Sequence, residues 1–76
     1  MAKLPDDRRA AFTAAYRFYE RHWDMPDTSE AWQECIKDMR AVCSEHDNSP
    51  MIVELTMGCF MAIDRENAIA RKVINS

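Results

Sequence analysis

Turn-forming segments interrupt the 76-residue chain at only two places, which limits the number of elements it can form. They are DMPDTSE at residues 24–30 and HDNSP at residues 46–50. Glycine occurs once and proline three times, whereas Ala, Met, Glu and Arg, which favour helix, are common. A chain of this length makes one domain at most. We therefore predict an all-α fold: a compact three-helix bundle with short connections, forming a single helical domain over residues 1–76.

The first helix is predicted over about residues 5–23. Pro5 suits the first helical position, because its missing N–H would have no partner there. Aromatic side chains recur at three- and four-residue steps and predict the stripe that faces the core. These residues are Phe12, Tyr16, Tyr19 and Trp23. Ala11, Ala15 and Phe18 widen this stripe on one side.

The second helix is predicted over about residues 28–45. Asp27 is a candidate N-cap, with Glu30 three residues later completing a capping box, and Thr28 is the alternative cap. This segment has the clearest amphipathic pattern in the chain. Its core stripe is Trp32, Cys35, Ile36, Met39, Val42, Cys43 and His46. The opposite face is expected to be solvated and carries Glu34, Lys37, Asp38 and Ser44.

The third helix is predicted over about residues 50–73, with Ser49 as its cap and Pro50 in first position. The expected core stripe is Ile52, Leu55, Cys59, Ala62, Ile63, Ala70 and Val73. Gly58 lies inside this helix and costs about 1 kcal/mol there relative to Ala. A close approach of two helices would explain it, and simple tolerance is the alternative.

The segment MIVELTMGCFMAI, residues 51–63, carries one charge in thirteen positions and has a second apolar face. A helix that is apolar all round is normally buried all round. The third helix is therefore either sandwiched between the other two or in contact with another chain. We predict a partner-binding surface of Val53, Met57, Phe60 and Met61, with Phe60 as anchor and Tyr19 and Trp23 as a secondary patch. The expected partner is a second copy, with a dimer favoured, or another protein.

No motif for catalysis is present: the chain lacks a nucleophile elbow, a phosphate-binding glycine loop and an H-E-x-x-H sequence. Cys43 and His46 could reach one metal ion, but zinc sites need three or four protein ligands and Cys35 lies two turns away. Glu66 falls on the core stripe, where it would pair with an Arg across an interface or, as we favour, meet water. We predict a protein that is not an enzyme and that binds no cofactor or metal.

Charge and cysteine content bear on partners and compartment. The net charge of −3 is uneven, with +2 over residues 1–23, −5 over residues 24–50 and balance thereafter. An acidic chain is a poor candidate for nonspecific nucleic-acid binding. Three cysteines without C-x-x-C spacing, and a charged N-terminus, predict free thiols in the cytoplasm. The longest apolar run is shorter than the ~20 residues needed to cross a bilayer.

Two other functions stay open. A nucleic-acid-binding regulator would use basic residues near either end of the chain: Arg8, Arg9, Arg17 and Arg21, or Arg65, Arg71 and Lys72. Rings interleaved with cations in AYRFYERHW could also stack on bases, although rings at helical spacing more often belong to a core. An inhibitor of a host protein would use the acidic middle segment to dock on a basic groove. Those acids are Asp27, Glu30, Glu34, Asp38 and Glu45.

The stretches AFTAAYRFYERHWDMPDTSEAW and NSPMIVEL resemble small all-helical proteins encoded on bacterial prophages and conjugative elements. The shared features are an aromatic YRFYE helix, a short acidic linker, a Trp near the start of the next helix and an N-x-P entry to the last. The resemblance covers most of the chain. It implies a bacterial or phage cytoplasmic setting, and it supplies no catalytic residues.

Overall fold

The computed structural model describes residues 5–75 of the chain, and the side chains of residues 5–70. Three helices account for this part: α1 spans Asp6–His22, α2 spans Ser29–Glu45 and α3 spans Pro50–Asn75. No strand occurs among the described residues. Each helix packs against the other two, and the contact between α1 and α3 is the most extensive. The predicted all-α three-helix fold is confirmed, and the helices begin and end within two residues of the predicted positions.

The start of α2 differs from the predicted capping box. Thr28 is the N-cap, and its hydroxyl accepts a hydrogen bond from the backbone N–H of Ala31 at 3.2 Å. Asp27 instead accepts a hydrogen bond from the indole N–H of Trp32 at 2.7 Å. Asp27 therefore lies one position before the cap and links the start of α2 to the Trp32 ring. At α3 the prediction is confirmed, since the Ser49 hydroxyl accepts from the N–H of Ile52 at 3.3 Å.

The turn between α2 and α3 is built without glycine. Asp47 and Asn48 both adopt positive φ angles, of 56° and 51°, which Asp and Asn tolerate better than other side chains. The N–H of Asn48 donates to the Cys43 carbonyl at 2.8 Å, and the N–H of Asp47 donates to the Ser44 carbonyl at 3.1 Å. This pair of bonds is a Schellman motif, which satisfies the last carbonyls of the helix and reverses the chain.

The core lies where the three helices meet. The side chains of Phe18, Cys35, Ile52 and Ile63 are fully buried. The predicted α2 stripe is confirmed, because Cys35, Val42 and Cys43 are buried and its other members are partly buried. On α3 the prediction is correct for Ile52 and Ile63 and wrong for Ala62 and Ala70, which are exposed. Val73 lies outside the described side chains.

Thr56 is the one polar residue that is fully buried among the described residues, and it was not predicted from the sequence. Its hydroxyl donates to the Ile52 carbonyl one turn earlier at 2.8 Å, so the polar group is satisfied within its own helix. The same hydroxyl lies 3.3 Å from the Cys43 thiol of α2. Thr56 therefore joins the core as a small β-branched side chain at little polar cost.

The core face of α1 is rotated from the predicted one. Ala11, Ala15 and Phe18 are buried, whereas Phe12, Tyr16 and Trp23 are each about half exposed or more. The small side chains explain the difference, because they allow α1 to approach α3 closely. The Cys59 thiol lies 3.7 Å from the Ala15 carbonyl at this contact. Rings at those positions would hold the two helices apart.

Candidate protein-binding surface

The side of α3 that faces away from α1 and α2 is largely apolar and open. Val53 is 36% exposed, Met57 41% and Met61 59%. Ile69, further along the helix, is 57% exposed and was not singled out by the sequence. The buried residues Ile52, Thr56 and Ile63 lie on the opposite side of the same helix. α3 is therefore not sandwiched between its neighbours.

We call this side the α3 outer face and define it by both its apolar and its charged members. The members are Val53, Glu54, Met57, Gly58, Met61, Ala62, Asp64, Arg65, Ala68 and Ile69, all of which are exposed. They recur at three- and four-residue steps, which places them on one side of a helix. The face is continuous over about four helical turns.

Gly58 makes a notch in the α3 outer face. A β-carbon built at this position would meet no atom within 4 Å, so the glycine does not serve a close contact inside the chain. The explanation by close helix approach is therefore wrong within one subunit. A shallow, open depression of about 400 Å³ surrounds the notch. Its lining is Gly58, Met61, Ala62, Arg65, Glu66 and Ile69.

Phe60, the predicted anchor of the surface, does not lie on the α3 outer face. It is partly buried and packs against the core cluster. Its ring meets the Trp32 ring of α2 nearly edge to face, with ring centroids 5.3 Å apart. Such a pair adds about 0.5–1.5 kcal/mol beyond the burial of its area, which accounts for the inward position of Phe60.

The predicted secondary patch lies on α1 beside α3. Trp23 is about half exposed, and Tyr19 is partly buried. The Tyr19 hydroxyl donates to the Glu66 carboxylate of α3 at 3.2 Å, and Glu66 is exposed to water, as favoured from the sequence. Partial burial and the Glu66 charge raise the pKa of the Tyr19 hydroxyl above 10.0. Because Glu66 also lines the depression at Gly58, the patch and the α3 outer face adjoin.

A polar cluster that the sequence did not reveal ties the end of α1 to α2. The Asp38 carboxylate lies 2.6 Å from Nε2 of His22 and 2.9 Å from the guanidinium of Arg21. Burial opposes ionisation of Asp38, but hydrogen bonds from Arg21 and His22 and their charges outweigh it and hold its pKa below 3.8. The prediction that Asp38 belongs to a solvated face is therefore wrong, because it is partly buried and pairs with Arg21 and His22. The ring of His22 also packs on Phe18, with centroids 5.0 Å apart, which fits a structural role.

The cysteines sit in positions that suit packing. Cys35, Cys43 and Cys59 are all free, and the first two are buried. Burial, and then the nearby Asp38 charge, raise the pKa of the Cys35 thiol, and burial raises that of Cys59. A raised pKa disfavours the reactive thiolate. Among the described side chains, no three His, Cys, Asp or Glu residues lie close enough to hold a metal ion.

The fold places acidic side chains close to the basic residues of α1. Arg9, Arg17 and Arg21 line an open cleft of about 500 Å³ between α1 and α2. Asp6 and Glu45 line the same cleft, and Arg21 is already paired with Asp38. The acids therefore offset part of the positive potential that a polyanion would need.

Comparison of the chain with known protein families, with curated proteins and with solved structures gives no match. Within the part of the chain that the structure describes, no helix is both long enough and apolar enough to cross a membrane.

Proposed function

We propose that this protein is a small non-enzymatic protein-binding module that docks through the α3 outer face. The observation that carries the proposal is the exposure of Met57 and Met61 on the side of α3 away from the fully buried Ile52 and Ile63, with Val53 exposed at its edge. Single exposed apolar residues are ordinary, but several in a row on one helix mark a contact surface. Methionine suits such a surface, because its flexible side chain adapts to the partner.

The setting that we propose is the cytoplasm of a bacterium infected by, or carrying, a mobile element. The sequence resemblance and the three free thiols support this setting. Phe60 no longer serves as the anchor, since it packs on Trp32. Met61 takes its place, because it is the most exposed of the three predicted residues that remain on the surface.

The test is the substitution Met61→Glu, with Phe12→Glu on α1 as a matched control. Both residues are apolar and about half exposed, so neither change should unfold the chain, which circular dichroism would verify. We expect light scattering across a concentration series, and capture of partner proteins, to show binding by the wild-type protein and by Phe12→Glu but not by Met61→Glu. Equal behaviour of all three proteins in both assays would refute docking through α3.

Nucleic-acid binding is the second candidate, and the cleft lined by Arg9, Arg17 and Arg21 favours it. Its signature would be an affinity for nucleic acid that falls steeply as the salt concentration rises. Arg17→Glu should abolish this binding, and Met61→Glu should leave it unchanged. Docking of the acidic α2 surface on a basic host protein is a further alternative. Asp38 and Asp27 are already engaged within the chain, which leaves Glu30, Glu34 and Glu45 as its exposed acids.

A further inference from the structure

We infer that the partner of the α3 outer face is a second copy of this chain, with the two α3 helices antiparallel about a twofold axis between residues 59 and 60. This inference rests on the proposed function and specifies the partner and the register. It follows from how large, small and charged side chains are arranged along the outer face.

Size complementarity fixes the centre of the pairing. In this register Met61 of one copy lies level with Gly58 of the other, and Met57 lies level with Ala62. The long Met61 side chain thus meets Gly58, the smallest residue of the face, whereas Met57 and Ala62 lie on opposite edges of the contact and flank it. The notch at Gly58 has nothing within 4 Å of a built β-carbon, so it can receive the Met61 side chain of the other copy. Packing of a large residue against a small one lets two helices approach closely.

Charge complementarity fixes the direction. Glu54 and Arg65 are exposed, and neither has a hydrogen-bond or ion-pair partner among the described residues. The antiparallel register brings Glu54 of each copy level with Arg65 of the other, so two opposite-charge pairs flank the methionines. A parallel pairing would instead place Glu54 beside Glu54 and Arg65 beside Arg65, which is repulsive.

The arrangement is complementary to itself, which is the property a twofold interface requires. In such an interface, when one residue contacts a second, the second contacts the first in the symmetry-related copy. Residues 54, 58, 61 and 65 follow steps of four, three and four, which is the spacing of a seam between two packed helices. The α3 outer face places a large residue level with a small one, and an acid level with a base, on both sides of one central point. A partner with a different sequence would not require this symmetry.

The first experiment reverses the charges one at a time. Glu54→Arg and Arg65→Glu each create two like-charge contacts per dimer. We expect each variant to dimerise about tenfold or more weakly than wild type in analytical ultracentrifugation. An equimolar mixture of the two variants restores both opposite-charge pairs, so it should regain the wild-type affinity. Glu34→Arg, an exposed acid on α2, is the control and should dimerise as wild type does.

The second experiment tests direction by disulfide formation. Glu54→Cys and Arg65→Cys should crosslink to each other when mixed and oxidised. Neither should crosslink to itself, because antiparallel pairing separates the two copies of residue 54 by about 16 Å along the helix axis. Wild-type protein is the control for crosslinking through the native thiols, of which Cys35 and Cys43 are buried. Self-crosslinking of each variant, with no mixed product, would overturn the antiparallel arrangement.

The outcomes separate this inference from the proposed function. A wild-type protein that remains monomeric throughout the concentration series overturns self-pairing. Docking of a different protein would still stand in that case if Met61→Glu abolished its capture. If the wild-type protein dimerises but the mixture of Glu54→Arg and Arg65→Glu does not regain the wild-type dimer affinity, the register is wrong.

Discussion

At the scale of single residues, Gly58 shows how a position can be unfavourable for one subunit and useful for two. Glycine in a helix interior costs about 1 kcal/mol relative to alanine. Nothing inside the chain requires it, since its φ is not positive and a β-carbon would meet open space. The notch becomes useful only when a second surface occupies it.

We therefore predict that Gly58→Ala raises the free energy of unfolding of the monomer by about 0.5–1 kcal/mol. Chemical denaturation at a concentration below the dimer dissociation constant would measure it. Ala68→Gly, an exposed position on the same helix, is the matched control and should lower stability by a similar amount. A loss of stability in Gly58→Ala would mean that the backbone at residue 58 does not accept a side chain.

At the scale of helices, the contact between the end of α1 and the middle of α2 depends on one carboxylate. Asp38 joins α2 to Arg21 and His22 at the end of α1. A cation near a helix C-terminus also interacts favourably with the helix dipole. Asp38 is partly exposed, so water screens its ion pairs and its contribution to stability is on the order of 1 kcal/mol.

The pKa of Asp38 gives this contact a pH dependence. Because its pKa is lower in the folded chain than in the unfolded chain, its contribution is fully present above the unfolded value of 3.8. The contribution is lost as pH falls through the still lower folded pKa. We expect the unfolding free energy of wild type to approach that of Asp38→Asn as pH falls below 3.8, with wild type more stable above that pH. Glu34→Gln, one turn earlier, should show no such convergence; if it matched Asp38→Asn, the α1 contact would not be the cause.

The helices differ in how well their faces could be predicted from sequence. α2 has one narrow apolar stripe, so the period alone identified Cys35, Val42 and Cys43 as core. α1 has two adjacent apolar stripes, one aromatic and one of alanines with Phe18, and period cannot choose between them. The choice depends on how closely α3 approaches, which is a tertiary property.

The residues of the candidate site also differ in how well their positions could be predicted from the sequence. The exposure of Met57 and Met61 follows from helical geometry, because they lie on the side of α3 away from Ile52 and Ile63, and Val53 lies at the edge of that side. Phe60 was misplaced because its position depends on the Trp32 ring, 28 residues earlier in the chain. The contact of His22 with Asp38 is likewise nonlocal, and no spacing rule within one helix could predict it.

At the scale of the whole molecule, α3 is longer than the two helices that cover its inner side. α3 has 26 residues, whereas α1 and α2 have 17 each. At 1.5 Å per residue, α3 exceeds its neighbours by about 13 Å. A chain of this size also buries only about 60% of its unfolded surface, so its core is marginal and a second copy would add stability.

Dimerisation would couple the stability of the whole molecule to concentration, because association stabilises the folded state by mass action. We predict that the Tm of wild type rises by about 3–5 °C for each tenfold increase in concentration above the dimer dissociation constant. The Tm of Met61→Glu should not change with concentration, because its folded state is monomeric. Phe12→Glu, whose side chain lies on α1, should behave as wild type does. Calorimetry over a hundredfold range would show the difference, and a wild-type Tm that stayed constant would mean that α3 gains nothing from a second copy.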